Sequence, residues 1–280
     1  MLIRMLCLCW LCVGIHANAA AALVTSIHPL YLIAQAVTQG IEQPVRLIPP
    51  QQDGHHVQLT PKDRQSLKQS DFVLWIGPEY EAALSQTLTN QRNAVALTSL
   101  HPAFRRLALR DVQGHAIPHS LDPHLWLDPN NANTIATIIA HIRAKQYPQH
   151  AKQYQQNAQA FRQRMTLVAH QQQITPQHYW AYHDAYQYLE SSLQLTLTGS
   201  LTTDPELPPT LKQLQWLKQQ PQSTQRCVFS PHPLNHGLLT QLQPIQFVVI
   251  DETLSQSTDF IQGWRNIVNQ SQTCLKINKI

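Results

Sequence analysis

The sequence predicts an α/β protein of two lobes, each a parallel sheet flanked by helices, joined by one long spine helix. Short apolar segments alternate with helical patterns in both halves of the 280-residue chain, an order typical of parallel sheets. Between the halves, apolar residues recur at three- and four-residue steps from Ala151 to Val168, as they do on one face of a helix, here one of more than twenty residues. These observations place the N-terminal lobe at residues 20–147, the spine helix at 148–173 and the C-terminal lobe at 174–280.

The residues before the first lobe have the pattern of a secretory signal peptide. Arg4 supplies a positive charge, residues 5–15 are nearly all apolar, and a small-x-small cleavage site ends at Ala19. The apolar run is shorter than the roughly 20 residues that a membrane-spanning helix needs. We therefore expect residues 1–19 to be removed on export to the periplasm, which leaves a mature chain with no membrane span.

Short apolar segments in both lobes are the expected strands. They are residues 23–27, 44–49, 72–76, 179–182, 193–198, 227–230 and 247–250. The expected helices are Pro29 to Gly40, Asn131 to Lys145, the spine helix, a helix that follows the strand at 179–182 and ends at Glu190, and Thr210 to Gln219. Parallel sheets bind ligands beyond the carboxyl ends of their strands, so the two lobes can face each other across a cleft.

The composition argues against a nucleic-acid partner and is unusually rich in histidine. Charged residues make up 13% of the chain, and its net charge of +4 comes from scattered lysines and arginines. Because no basic run is present, nucleic-acid binding is not indicated. Histidine is unusually frequent, with fifteen in the chain, of which only His16 would leave with the signal peptide.

Two cysteines, Cys227 and Cys274, would remain after processing. In an oxidising compartment an isolated pair is expected to form one disulfide. In the chain-entropy model, closing a loop of this length stabilises the fold by roughly 4 kcal/mol. Two buried free thiols are the alternative.

Three histidines occupy positions where a ligand could bind. His55 lies in a turn-rich stretch after a predicted strand, His124 lies between two Asp-Pro breaks, and His183 directly follows the strand at 179–182. Neutral imidazoles suit zinc and favour it over manganese, which prefers carboxylate oxygens. Spacing alone does not establish a site, because any one of the three could equally be a hydrogen-bonded loop histidine.

Four stretches around these histidines resemble a known family. They are residues 24–30 (VTSIHPL), 75–79 (WIGPE), 122–129 (DPHLWLDP) and 182–186 (YHDAY). The chain is similar over nearly all its mature length to the zinc-specific solute-binding proteins of bacterial ABC importers (cluster A-I, family 9). The resemblance implies that His55, His124 and His183 ligate Zn(II) in the cleft between the lobes and that Cys227 and Cys274 are bonded. It also implies a monomeric, non-enzymatic protein that delivers Zn(II) to a membrane permease.

The chain departs from that family at two positions around the ligands. Some relatives carry a carboxylate just before the first ligand, where this chain has Gly54. The fourth ligand is then Asp251 or a water molecule. The loop before the second ligand, often long and histidine-rich in relatives, is short here and keeps only His115 and His119. These two form either an auxiliary zinc-capture site or an ordinary solvated loop.

Two rival functions stay open at this stage. Three histidines and a water molecule also make a catalytic zinc site, although the sequence has no HExxH motif. A manganese-binding component or an adhesin of the same fold is the second rival. Manganese-binding relatives carry a carboxylate where His183 stands, which favours zinc.

Overall fold

Two parallel sheets of four strands each lie at the centre of the molecule. The computed structural model describes residues 23–52, 54–171, 176–220 and 226–276, so the predicted signal peptide lies outside the described residues. The first sheet, in the order β2-β1-β3-β4, consists of β1 (Leu23–Thr25), β2 (Val45–Arg46), β3 (Phe72–Trp75) and β4 (Ala94–Ala96). The second, in the order β6-β5-β7-β8, consists of β5 (Gln177–Ala181), β6 (Leu195–Ser200), β7 (Arg226–Ser230) and β8 (Ile245–Val249). The parallel α/β fold is confirmed.

The strand order defines where each sheet can receive a ligand. In both sheets the chain first moves outward to one side and then crosses to the other, so the order reverses between β1 and β3 and again between β5 and β7. At such a reversal the loops that follow the two central strands diverge and leave a crevice at the carboxyl edge. The loop after β5 begins with Tyr182 and His183.

Helices cover the sheets, and their ends follow sequence signals. They are α1 (His28–Thr38), α2 (Pro61–Gln69), α3 (Ala82–Leu88), α4 (Pro129–Gln146), α5 (Ala151–His170), α6 (Glu190–Leu193), α7 (Leu211–Gln219), α8 (His236–Leu242) and α9 (Phe260–Lys276). At the start of α4 the Asp128 carboxylate accepts hydrogen bonds from the backbone N–H groups of Asn130 and Asn131. Pro129 occupies the first turn, where its missing N–H costs nothing.

The long helix predicted between the two sheets is α5. Its buried residues form the predicted apolar stripe: Tyr154, Ala158, Phe161, Met165 and Val168. The helix packs against α4, α1 and α9. It ends at His170, and residues 172–175, where the predicted end falls, lie outside the described residues.

The final helix, α9, was not predicted. It connects the second sheet to the first through its contacts. It packs against α5 and α1, and the indole N–H of Trp264 donates to the carbonyl of Leu127 at 2.9 Å. Near its end Cys274 is bonded to Cys227 of β7, with the two Cα atoms 5.8 Å apart, which confirms the disulfide. One continuous buried cluster includes residues of both sheets and of α9.

The segment after β5 differs from the prediction. A helix up to Glu190 was expected, whereas the chain bends after Ala181 and forms only a 3-10 turn at Gln187–Leu189 before the short α6. In this bend the Asp184 carboxylate is held by Arg110 from a distant segment, and this contact overrides the local helical preference. In the described part of the chain no helix is both long and apolar enough to cross a membrane.

Candidate metal site

The three predicted histidines lie together where the two sheets face each other. The ring centroids of His55 and His124 are 5.7 Å apart, and those of His124 and His183 are 5.9 Å apart, so His124 is the middle ring. Two imidazoles on one tetrahedral zinc, each bound at about 2.0–2.1 Å, would have centroids about 5 Å apart. Each of these two ring pairs is therefore within about an ångström of ligand spacing.

Among the residues that the structure describes, no three histidine, cysteine or carboxylate side chains are arranged to hold a metal ion as they stand. A metal ion bound here would therefore require these side chains to move.

His124 is fixed by the aspartate two residues before it. The Asp122 carboxylate accepts one hydrogen bond from the His124 backbone N–H at 3.0 Å and is 2.7 Å from the ring Nδ1. His124 is only 3% exposed. A proton on Nδ1, shared with this carboxylate, leaves Nε2 as the nitrogen with the lone pair, an arrangement common behind zinc-binding histidines.

His55 packs edge-on against Tyr80, with ring centroids 4.3 Å apart. The preceding residue is Gly54, and a Cβ atom there would lie 2.3 Å from Cε1 of Tyr80. No side chain fits at position 54 while Tyr80 keeps its place. This contact gives a physical reason for the glycine directly before His55.

His183 is buried without hydrogen bonds. It is 3% exposed, and within the described residues neither ring nitrogen has a hydrogen-bond partner. Burial, followed by the positive charge that His124 and His55 can carry, lowers the pKa of His183 well below its ordinary value of 6.5. A buried polar group that is left unsatisfied calls for a functional explanation, and a neutral imidazole is the form that binds a metal.

The acid beside His183 is Glu252, and the ligand role predicted for Asp251 stays a prediction. Glu252 is 4% exposed, and its Oε1 lies 3.9 Å from Nε2 of His183. The Asp251 carboxylate instead closes a turn: it accepts hydrogen bonds from the backbone N–H groups of Thr253 at 3.1 Å and Ser255 at 2.6 Å. The sequence did not predict the contact of Glu252, because this residue lies in a turn after β8 and the direction of a side chain in a turn does not follow from strand alternation.

A cavity of about 730 Å³ opens beside this acid. Its lining includes Glu252, Asp251, Tyr182 and His232. The rings of Tyr182 and His232 meet edge-on with centroids 4.8 Å apart. The cavity therefore presents polar groups next to the buried carboxylate.

The two further histidines singled out in the short loop lie on a surface hairpin. A bridge between Arg110 and Ala116 closes it. His115 and His119 are both exposed, and Nδ1 of His115 lies 3.2 Å from the Asp111 carboxylate. Their role in zinc capture stays a prediction.

This fold of two parallel sheets defines a class of solved proteins that includes solute-binding proteins. Among solved structures, the fold matches the Zn(II)-bound AdcAII mutant variant of Streptococcus pneumoniae (20% identity, TM-score 0.75, 92% of this chain and 99% of that chain). It also matches the solute-binding protein FpvC of Pseudomonas aeruginosa in complex with Mn2+ (15% identity, TM-score 0.73, 92% and 99%).

Sequence comparison narrows the class to one family. Residues 23–261 match the family model of ZnuA, described as zinc-uptake complex component A, periplasmic. The high-affinity zinc uptake system protein ZnuA of Yersinia pestis is 30% identical over 230 residues, which are 72% of each chain. The chain belongs to the ZnuA family.

Proposed function

We propose that this protein captures Zn(II) in the periplasm and delivers it to the membrane permease of an ABC importer. The observation that carries the proposal is the row of His55, His124 and His183, with centroid spacings of 5.7 and 5.9 Å. Membership of the ZnuA family supports it. The signal peptide predicted at residues 1–19 provides the export, and the protein acts as a monomer.

The fourth position is taken by a carboxylate or by water. Glu252 is better placed for it than Asp251, because its carboxylate already lies 3.9 Å from Nε2 of His183. The Asp251 oxygens are engaged by Thr253 and Ser255. A ligand role for Asp251 would require these hydrogen bonds to break.

The donor set favours zinc over the other metals that related folds hold. A solved neighbour from Pseudomonas aeruginosa holds Mn2+, so the fold alone does not select the metal. Three neutral nitrogens with at most one carboxylate suit a borderline-soft ion in a tetrahedral site. Manganese prefers oxygen ligands. In a competition titration we expect zinc to displace manganese and excess manganese to leave zinc in place.

Zinc titration of the mature protein tests the main proposal. We expect tight binding of one ion by the wild type and loss of most affinity in His124→Ala, since this ring lies between the other two. His141→Ala is the matched control, because His141 is exposed on α4, and it should bind like the wild type. A wild type that takes up no zinc, or a His124→Ala variant that keeps its affinity, would overturn the proposal.

A further inference from the structure

Arg110, whose side chain is largely buried, binds the carboxylate of Asp184, the residue next to His183. Its Nε and Nη2 donate to the two oxygens of Asp184, each at 2.7 Å. Nη2 also donates to Oε1 of Glu190 at 2.8 Å. The Arg110 side chain is 11% exposed. A two-pronged pair of this kind fixes the direction as well as the distance between its partners.

The position of Asp184 matters because His183 has no hydrogen bond of its own. Within the described residues neither ring nitrogen of His183 is bonded, so packing and the local backbone must hold the ring. Asp184 is the next residue along that backbone, directly after the bend that follows β5. Whatever holds the Asp184 carboxylate therefore also holds the backbone that carries the imidazole.

Arg110 belongs to the segment that leads to His124. In this segment the backbone N–H of Asp122 donates to the carbonyl of Leu107 at 2.8 Å. The Tyr188 hydroxyl bridges the same two residues, since it accepts from the N–H of Leu107 at 3.1 Å and donates to the carbonyl of Asp122 at 3.1 Å. Asp122 in turn holds His124. The segment 107–124 therefore carries His124 and, through Arg110, also holds the residue next to His183.

We infer that Arg110 is a positioning residue for the metal site: by clamping Asp184, it sets the distance and angle of His183 relative to His124. The inference rests on the proposed function, since it concerns the geometry of the ion's ligands. Arg110 itself does not touch the ion. Without the clamp the His183 backbone can shift, and the three nitrogens meet the ion at a poorer angle.

The chain offers a matched control in Arg143, on α4. Arg143 is also buried and also pairs with a glutamate, since its Nε donates to Glu42 at 2.8 Å. Tyr154 donates to that same glutamate oxygen at 2.7 Å, as Tyr179 does to Glu190 at 3.0 Å. The two clusters share their chemistry, but Arg143 holds the end of α4 to the loop after α1.

The experiment compares Arg110→Lys with Arg143→Lys in the mature protein. Lysine keeps the positive charge but cannot make the two parallel hydrogen bonds of a guanidinium group. Both variants should therefore lose thermal stability in the metal-free form. We expect zinc affinity to fall about tenfold in Arg110→Lys, at the lower end of the effect of losing an outer-shell partner. The visible absorption of bound Co(II), which reports ligand geometry, should change in Arg110→Lys and stay as in the wild type in Arg143→Lys.

Two results would overturn the inference. One is an Arg110→Lys variant with wild-type zinc affinity and Co(II) spectrum; the other is an equal change in Arg143→Lys, which would mean that stability alone is responsible. If Arg110→Lys does not fold, Asp184→Asn removes the fork from the other side and should change the Co(II) spectrum in the same way, whereas an unchanged spectrum contradicts the inference. Absence of zinc binding in the wild type would instead refute the proposed function.

Discussion

The two sides of the candidate site are built differently. On the side of the first sheet, His124 is held by Asp122 through its ring and its backbone, and Tyr80 packs on both His55 and His124. On the side of the second sheet, His183 is buried with no hydrogen bond within the described residues. Under the proposed function, the first side is organised in advance to receive the cation, and the second side is left to adjust to it. The following variants test this difference, from the largest expected effect to the smallest.

The largest effect is expected from a ligand on the organised side. We expect His55→Ala to lower zinc affinity by more than the roughly 10–100-fold that an outer-shell partner contributes, because a nitrogen ligand is lost. His56→Ala should change it less than about threefold, since the His56 side chain is half exposed and faces Asp204 at 3.4 Å. A competitive zinc titration measures both. If His56→Ala has the larger effect, His56 and not His55 is the ligand.

The next effect concerns the hydrogen bond that fixes His124. Asp122→Asn exchanges a charged acceptor for a neutral one, so the ring loses its strongest orienting contact. We expect zinc affinity to fall by about 10–100-fold, with the protein still folded by circular dichroism. An affinity equal to that of the wild type would show that the first side is not organised by this bond.

A smaller effect is expected from the acid on the adjustable side. Glu252→Gln should lower zinc affinity by about tenfold, within the usual range for a group that supports a metal site. Asp251→Asn should leave affinity nearly unchanged and instead lower the free energy of unfolding by about 1.5–3 kcal/mol, because its carboxylate accepts backbone hydrogen bonds. Zinc titration and denaturant unfolding measure the two effects. If Asp251→Asn lowers zinc affinity and Glu252→Gln lowers only the free energy of unfolding, Asp251 and not Glu252 is the fourth ligand.

The smallest effect on binding, and a distinct one on stability, is expected at Glu81. Its side chain is fully buried on the organised side, and burial raises its pKa from 4.5 to about 7. The folded protein therefore holds this proton more tightly than the unfolded chain does, so the stabilisation is complete below pH 4.5 and is lost as the pH rises through about 7.

Glu81→Gln imitates the protonated acid at every pH. It should raise the free energy of unfolding by about 3 kcal/mol at pH 8 and by less than about 1 kcal/mol at pH 5, with zinc affinity unchanged. Urea unfolding at the two pH values measures the difference. A gain that does not depend on pH would show that Glu81 is ionised in the folded protein throughout this range.

Local patterns were sufficient to predict the fold class and seven of the eight strands that the structure describes, but not β4. The buried strand at Phe72–Trp75 is a continuous apolar run, and the stripe of α5 recurs at helical spacing. Helix α9 carries a similar signal in Phe260, Ile261, Trp264, Ile267 and Val268, all buried, and this pattern could have been recognised.

The surroundings of the histidines could not be predicted in the same way. Arg110 lies 74 residues before its partner Asp184, and no local pattern connects the two. The position of Glu252 depends on the backbone beyond β8, which is fixed by a hydrogen bond from the indole of Trp126 to the Glu252 carbonyl at 2.8 Å. The histidines themselves were identified through motifs shared with a family, and not through their spacing.

The continuous core has a consequence for the rate at which the ion can leave. Because one buried cluster runs from the first sheet to the second, the halves cannot separate widely without exposing it. Under the proposed function, release of the ion would then depend on loop movements, which take place in nanoseconds to microseconds, and not on the slower opening of a hinge. Such motions are faster than any reasonable residence time of a tightly bound ion. The lifetime of the complex is therefore set by the strength of the metal–ligand bonds, and a partner that distorts those bonds can shorten it.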